Sequence, residues 1–173
     1  MVRKALDNDA GFGVVALLQG SEVRTPETLE SFASVGTLAE IRTAATPKPG
    51  LMQIQCIGTT RFRIESRQRL KHGLWVAQVS LLPEDQYVGV PEELEDVVVA
   101  LRTLLKGWRD QQLGEDDIPV RPPLHFDDCG WVANRWAEML PLSAEEKLRL
   151  LALENPLLRL ELVQDALHTV GLL

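Results

Sequence analysis

The apolar positions of this chain change their spacing once, near residue 88. Before that point, short apolar or alternating runs are separated by residues typical of turns. Examples are "FGVVALL" (residues 12–18), "VGTLAEI" (35–41) and "GLWVAQVSLLPED" (73–85). Apolar runs rich in β-branched residues and a two-residue period are both typical of β-strands. We therefore predict about five short strands between residues 12 and 83.

The clearest alternation lies in "LMQIQCIGTTRFRIES" (residues 51–66), where Phe62 and Ile64 follow Gly58 and are interleaved with arginines. This pattern predicts half-buried antiparallel strands with one charged, solvated face. The preceding "TAATPKPG" (residues 43–50) predicts a turn, because proline cannot donate a ladder hydrogen bond and glycine tolerates a positive φ.

After residue 88 the apolar residues recur every three or four positions, which is typical of amphipathic helices. The stretch "EDVVVALRTLLKGW" (residues 95–108) is a long example. Ser143 with Glu146 forms a capping-box pattern, and Asn155 before Pro156 is a typical helix start. We predict an α+β fold with a β-rich subdomain at residues 1–88 and a helical subdomain at residues 89–173.

Composition and charge narrow the functional classes. The chain has 173 residues and a net charge of −7, which disfavours nucleic acid as a partner because such binding relies on Lys and Arg contacts to phosphates. No apolar run approaches the roughly 20 residues of a membrane span, and the N-terminus does not resemble a signal peptide. We therefore predict a cytoplasmic protein without a membrane partner, in which Cys56 and Cys129 are reduced thiols.

The sequence contains no recognisable catalytic motif. It has no Gly-x-x-x-x-Gly-Lys-Ser/Thr loop, and its three histidines lie in separate segments without a neighbouring nucleophile pattern. We therefore predict no catalytic residue, no cofactor and no metal.

One polar cluster leaves an alternative to that prediction open. "HFDDC" offers four metal-ligand types, from His125, Asp127, Asp128 and Cys129. The other interpretation is that Asp127 or Asp128 caps a helix starting near Gly130. We favour the helix cap, because no second ligand cluster appears elsewhere in the sequence.

A basic stretch, "RFRIESRQRLKH" (residues 61–72), stands out in this acidic chain. It predicts either a surface for an acidic peptide or nucleic acid, or simply the solvated face of strands that bury Phe62 and Ile64. We favour the solvated face. If the stretch does bind a partner, the candidate binding surface consists of Arg61, Arg63, Arg67, Arg69 and Trp75.

The order of the motifs resembles a known family. "FGVVALL", "VGTLAEI", "IQCIGTTRFRI", "GLWVAQVSLLPED" and "VANRWAEMLPLSAEEKLRLLALENPLLRLELV" together resemble the N-terminal domain of the Lon (La) ATP-dependent protease and its stand-alone relatives. The most specific pieces include Val35-Gly36-Thr37, the 61–64 tetrapeptide and Arg159-Leu160-Glu161. The resemblance implies a PUA-like small β-barrel (a pseudo-barrel) followed by a C-terminal helical bundle.

The same resemblance implies a function. Domains of this family engage unfolded or hydrophobic polypeptide segments, so a non-catalytic recognition module, acting as an adaptor with a protease partner, is the expected role. The ATPase module and the Ser-Lys pair of the protease lie in other domains, so we predict that the chain is not an enzyme. The alternative is nucleic-acid or nucleotide binding through the basic hairpin, because PUA-like barrels include RNA readers.

The sequence departs from the family pattern at its start. Family members usually begin with a Leu-Pro-rich strand and a second strand ending in an Arg-Tyr pair, and neither precedes "MVRKAL". The barrel would then have an open edge, which invites pairing with another chain. We predict either a homodimer or coverage of the edge by the loop at residues 19–34. A native start upstream of Met1 is the alternative explanation.

Overall fold

The computed structural model describes residues 2–8, 10–20, 30–111, 120 and 122–173. The chain divides into two compact units, Met1–Glu84 and Asp85–Leu173. The first unit contains a short helix and a sheet, and the second contains helices, so the predicted α+β class is confirmed. No helix in the described ranges is long and apolar enough to cross a membrane.

The first unit is built on an antiparallel sheet whose strands follow one another in chain order. A short helix, α1 (Val2–Asp7), precedes the sheet, and the strands are β1 (Phe12–Gln19), β2 (Ser31–Lys48), β3 (Leu51–Arg69) and β4 (Trp75–Leu81). In the described part of the chain β1 and β4 do not pair with each other, so the sheet is open. The closed barrel implied by the resemblance is not observed there.

The strands are fewer and longer than predicted. The structure describes four strands instead of about five, and Gly58 lies inside β3. The turn predicted at residues 43–50 is confined to its last two residues, because β2 continues to Lys48. Pro47 lies where the register shifts between the Ala45–Gln53 and Lys48–Leu51 pairs. The regular ladder is interrupted there, so the backbone N–H that proline lacks is not needed for pairing.

The central strands extend beyond their neighbours as a two-stranded ribbon. β1 pairs with β2 only as far as Ala39, whereas β2 and β3 stay paired to the Lys48–Leu51 pair. The ribbon ends at Gly50, whose φ of +81° suits glycine. Cys56 lies on the ribbon as an exposed free thiol.

The loop expected to cover the open edge falls largely outside the described residues. Positions 21–29 of the 19–34 segment are not described, and β2 begins at Ser31. The last part of the predicted loop is therefore strand.

The helices of the second unit start at the residues that the sequence predicts. Asp128 accepts a hydrogen bond from the Gly130 amide at 3.0 Å, and Ser143 and Glu146 form the complete capping box. Asn155 caps the last helix. A 3-10 helix (Glu92–Leu94) precedes α2 (Glu95–Asp110), and α3 (Cys129–Met139), α4 (Ala144–Ala152) and α5 (Pro156–Thr169) follow.

These helices enclose one apolar core. Trp136 is buried, and its indole Nε1 donates to the Val97 carbonyl at 3.0 Å, which satisfies its polar atom. Cys129 is a buried free thiol in the same core. The other fully buried apolar residues include Leu101, Val132, Ala133, Leu160, Val163 and Leu167.

An ion pair lies within this core. Arg159 is only 1% exposed, and its guanidinium donates to Asp85 at 2.5 and 3.1 Å and to Asn134 Oδ1 at 3.2 Å. It also donates to the Leu153 carbonyl. A buried charge is tolerated only when its partners are in place, so this network holds the N-terminal end of the unit to α3 and α5.

Candidate functional site

The sheet carries a groove whose floor is Phe62. Phe62 is 3% exposed, and its ring lies against two glycines on neighbouring strands. A Cβ on Gly36 would lie 2.7 Å from Cζ of Phe62 and 2.4 Å from the Val14 carbonyl oxygen, and one on Gly13 would lie 2.9 Å from Cζ. Both positions therefore need glycine, because the close approach leaves no room for a side chain.

Side chains from all four strands surround this floor and line a groove of about 410 Å³. The register places Val15, Gly36, Phe62 and Leu81 in one row across the sheet. Val79 beside them is 39% exposed, so the groove opens to solvent. Its apolar lining includes Val15, Phe32, Leu38, Ile64, Trp75 and Val79.

A β-bulge in β3 changes which side chains reach the groove. Ile64 pairs with Val79, but the next pairs are Ser66 with Gln78 and Arg67 with Ala77. Glu65 is thus an extra residue on β3, and the side-chain alternation is reversed after it. Without the bulge every arginine of this strand would lie on the face opposite Phe62.

The bulge divides the predicted binding surface between the two faces of the sheet. Arg61 and Arg63 precede it and lie opposite the groove, as the solvated-face interpretation predicts. Arg67, Arg69 and Trp75 lie on the groove face, because Arg67 pairs with Ala77 and Arg69 with Trp75. The five candidate residues therefore do not form one surface.

Arg67 is held at one end of the groove by aromatic rings. Its guanidinium carbon lies 5.2 Å from the Phe32 ring centroid and 5.6 Å from that of Trp75, distances typical of cation–π contacts. The two rings meet edge to face at 5.4 Å. The Trp75 indole N–H donates to Glu30 Oε2 at 2.6 Å, which fixes the orientation of the tryptophan.

Sequence reasoning missed Phe32 and Val79 as groove residues. Phe32 lies in the stretch predicted as a loop, and the neighbouring residues do not distinguish an aromatic residue in a strand from one in a loop. Val79 lies on the same face of β4 as Trp75 and Ala77, in keeping with the alternation of "GLWVAQVSLLPED". What could not be foreseen is that this face is open.

The "HFDDC" residues are engaged in structural contacts within the helical unit. Asp128 caps α3, as the favoured interpretation predicts, and the Tyr87 hydroxyl donates to Asp127 Oδ2 at 3.3 Å. The His125 ring meets Trp131 edge on at 6.2 Å. The part of the chain that the structure describes contains no group of three His, Cys, Asp or Glu residues placed to hold a metal ion.

Two pKa shifts follow from these contacts. The Asp127 carboxylate raises the pKa of Tyr87, because ionising the phenol would place two negative charges side by side. Burial raises the pKa of the Cys129 thiol. The Cys129 Sγ contacts the Gly89 carbonyl at 3.5 Å. A buried thiol with a raised pKa is a packing residue and a poor nucleophile.

A second cavity of about 350 Å³ lies in the helical unit beside Tyr87 and Asp127. Its polar groups already have contacts in the lining, since the Tyr87 hydroxyl donates to Asp127 and the Arg102 guanidinium lies 4.1 Å from the Phe126 ring centroid. The groove of the sheet has the more apolar lining and is the better candidate site.

Comparisons with known proteins show to which family the chain belongs. Residues 1–169 match the model of the ATP-dependent protease La (LON) substrate-binding domain. The chain belongs to this family. The crystal structure of a Lon N-terminal domain protein from Xanthomonas campestris is similar, with a TM-score of 0.71 and 27% identity over 95% of this chain and 80% of that one.

A more distant structure shares the fold of this Lon substrate-binding domain. The N-terminal domain of the Mycobacterium avium complex Lon protease matches with a TM-score of 0.51 and 16% identity over 89% of each chain. No curated protein matches the chain. The resemblance predicted from the sequence is therefore confirmed, and its specific residues have structural roles: Gly36 and Phe62 form the groove, and Arg159 holds the buried ion pair.

Proposed function

We propose that this Lon substrate-binding domain is a non-catalytic recognition module that binds unfolded or extended polypeptide segments in the groove of its sheet. The observation that carries the proposal is an apolar groove that opens to solvent in a member of a substrate-binding family. Exposed apolar surface lowers the solubility of a folded domain, so its presence is typical of a binding site.

The chemistry of the groove suits polypeptide more than a small polar ligand. Apolar side chains that enter it lose contact with water, at about 25 cal/mol per Å² of apolar surface buried. An extended segment also presents main-chain donors and acceptors, which the outer strands β1 and β4 can pair with. These two contributions recognise the unfolded state of a protein more than any one sequence.

Fluorescence anisotropy of a labelled, permanently unfolded protein, titrated with the chain without ATP, tests this proposal. We expect saturable binding that changes little between low salt and about 0.15 M salt, because apolar and main-chain contacts are screened little. Val79→Ser is expected to weaken binding about fivefold, since it removes apolar surface from the groove.

Val14→Ser is the matched control. Val14 is also an exposed strand valine, at 51%, but it pairs with Thr37 and therefore lies on the opposite face. Equal weakening by both substitutions, or no binding at all, would contradict the assignment of the groove.

We further propose that the bound segment is passed to a protease partner, as in an adaptor. The support is membership of a family named for an ATP-dependent protease. Degradation of the unfolded probe by a Lon-type protease, measured with and without the chain, tests this role, and unchanged degradation would contradict it.

Nucleic-acid binding is less well supported. Arg61 and Arg63 lie on the face opposite Arg67 and Arg69, so the hairpin offers no single basic surface on which a phosphate backbone could lie. A salt-dependent affinity for RNA that Arg61→Ala with Arg63→Ala abolishes would revive this alternative.

A further inference from the structure

The groove combines an apolar lining with a cationic end. Trp75 and Phe32 lie at that end, and the Arg67 guanidinium contacts both rings. In the described ranges no carboxylate forms an ion pair with Arg67. A guanidinium that contacts aromatic rings and forms no ion pair among the described residues can pair with an anion from outside the chain.

The neighbouring charges reinforce this chemistry. Arg69 lies on the same face, two residues further along the strand, and pairs with Trp75. Glu30 also lies at this end, and its Oε2 accepts the Trp75 indole N–H at 2.6 Å. Two arginines thus lie on the groove face although the chain carries a net charge of −7.

On the basis of the proposed function, we propose that the groove selects extended segments in which an apolar side chain is followed closely by acidic side chains. The apolar side chain lies over Phe62, and the Asp or Glu carboxylate pairs with Arg67. The rings restrict the motion of the guanidinium, so less side-chain entropy is lost when the pair forms. The partner is therefore an acidic, unfolded polypeptide, and a basic segment is disfavoured.

Two synthetic peptides test this selectivity. One carries a central Leu-Phe pair followed by Asp and Glu, and its twin carries Asn and Gln at those positions. Both have amidated C-termini, so that no terminal carboxylate contributes. With fluorescein-labelled peptides at about 0.15 M salt, we expect the acidic peptide to bind about fivefold more tightly than its neutral twin.

Arg67→Gln is expected to reduce the roughly fivefold affinity ratio between the acidic peptide and its neutral twin to about one, so the ratio, and not the affinity for either peptide, is the readout. Arg63→Gln is the matched control, because it removes the same charge from the same strand but on the opposite face. Retention of the preference in Arg63→Gln together with its loss in Arg67→Gln would support the assignment.

The remaining outcomes overturn the proposal in distinguishable ways. If the chain binds the unfolded protein and both peptides equally well, the acidic selectivity is wrong and the proposed function stands. If it binds neither the unfolded protein nor the peptides, the proposed function fails as well. If a single-stranded RNA oligomer displaces the acidic peptide and Arg67→Gln weakens that RNA binding, the cationic end binds RNA phosphates and the proposal is wrong.

Discussion

The two units of this chain use their apolar residues in opposite ways. Most of the buried apolar residues described in the helical unit are large, such as Leu101, Trp136 and Leu160, and even Arg159 is buried there with its partners. In the sheet unit the buried apolar residues described are mostly small, and larger ones such as Val79 and Leu81 reach solvent. Those buried residues are Ala5, Ala33, Val35, Ala39, Phe62 and Leu82.

This difference separates stability from recognition. A core that encloses its apolar surface is stabilised by burial but offers a partner little to bind. A sheet that leaves apolar side chains exposed is less stable for its size and can gain free energy by covering them with another chain. We therefore infer that the helical unit is the scaffold and that the sheet unit is the binding element.

Removing the buried ion pair should have the largest effect on the scaffold. Asp85→Ala leaves the Arg159 guanidinium charged and buried without its carboxylate, which is expected to lower the free energy of unfolding by about 3 kcal/mol. Urea denaturation followed by tryptophan fluorescence measures this change.

The double variant Asp85→Ala with Arg159→Met is the control for that measurement. It removes the charge together with its partner and should recover much of the lost stability. A loss below about 1 kcal/mol in the single variant would show that the pair is not the central support of the helical unit.

The sheet unit should be most sensitive at the glycine beneath Phe62. A Cβ on Gly36 would meet the Val14 carbonyl oxygen at 2.4 Å, and backbone cannot move aside as a flexible side chain can. Gly36→Ala is therefore expected to lower the free energy of unfolding by about 2 kcal/mol. It should also weaken binding of the unfolded probe, since Phe62 would be displaced.

Gly107→Ala in α2 is the opposite case. A Cβ there meets nothing within 4 Å, and alanine favours the helix, so this variant should gain about 0.5–1 kcal/mol and bind the probe as before. Similar results for the two glycine variants would contradict the role given to the Gly36–Phe62 contact.

The smallest effect concerns a helix end of the scaffold and depends on pH. Hydrogen bonds from the Ser143 hydroxyl and amide lower the pKa of Glu146. Because the folded-state pKa is below that of the unfolded chain, the stabilisation is present at neutral pH. It is lost as the pH falls through the folded-state pKa.

Thermal unfolding of Glu146→Ala across acidic pH measures this effect. The variant should melt below the parent chain at neutral pH, and the difference should vanish in strong acid. Glu145→Ala lies one residue away, outside the capping box, and should show the smaller difference at neutral pH. A Glu146→Ala deficit that stays constant across pH would mean that the carboxylate does not stabilise the cap.

Much of the scaffold could be predicted because its signals are local. Ser143, Asn155 and Asp128 cap helices through bonds within three residues, and such patterns are visible in sequence. The burial of Arg159 is not visible, since arginine is normally exposed and its partner Asp85 lies far away in the chain.

The site could be predicted only in part, because it depends on strand register. A simple alternation places every arginine of β3 on one face, but the bulge at Glu65 moves Arg67 and Arg69 to the groove face. The bulge is defined by the pairing of β3 with β4, and the sequence of β3 alone does not predict it. Phe32 was missed for a related reason, since it lies before the run predicted as strand (residues 35–41), in the part of β2 that pairs with the end of β1.

The measurement that tests the central claim most directly is amide hydrogen exchange of the whole chain, with and without a saturating, permanently unfolded protein. We expect new protection in β1, β3 and β4 around the groove, with exchange in α2 and α5 unchanged. Protection confined to the helices, with the strands exchanging as in the free chain, would contradict the division into scaffold and binding element.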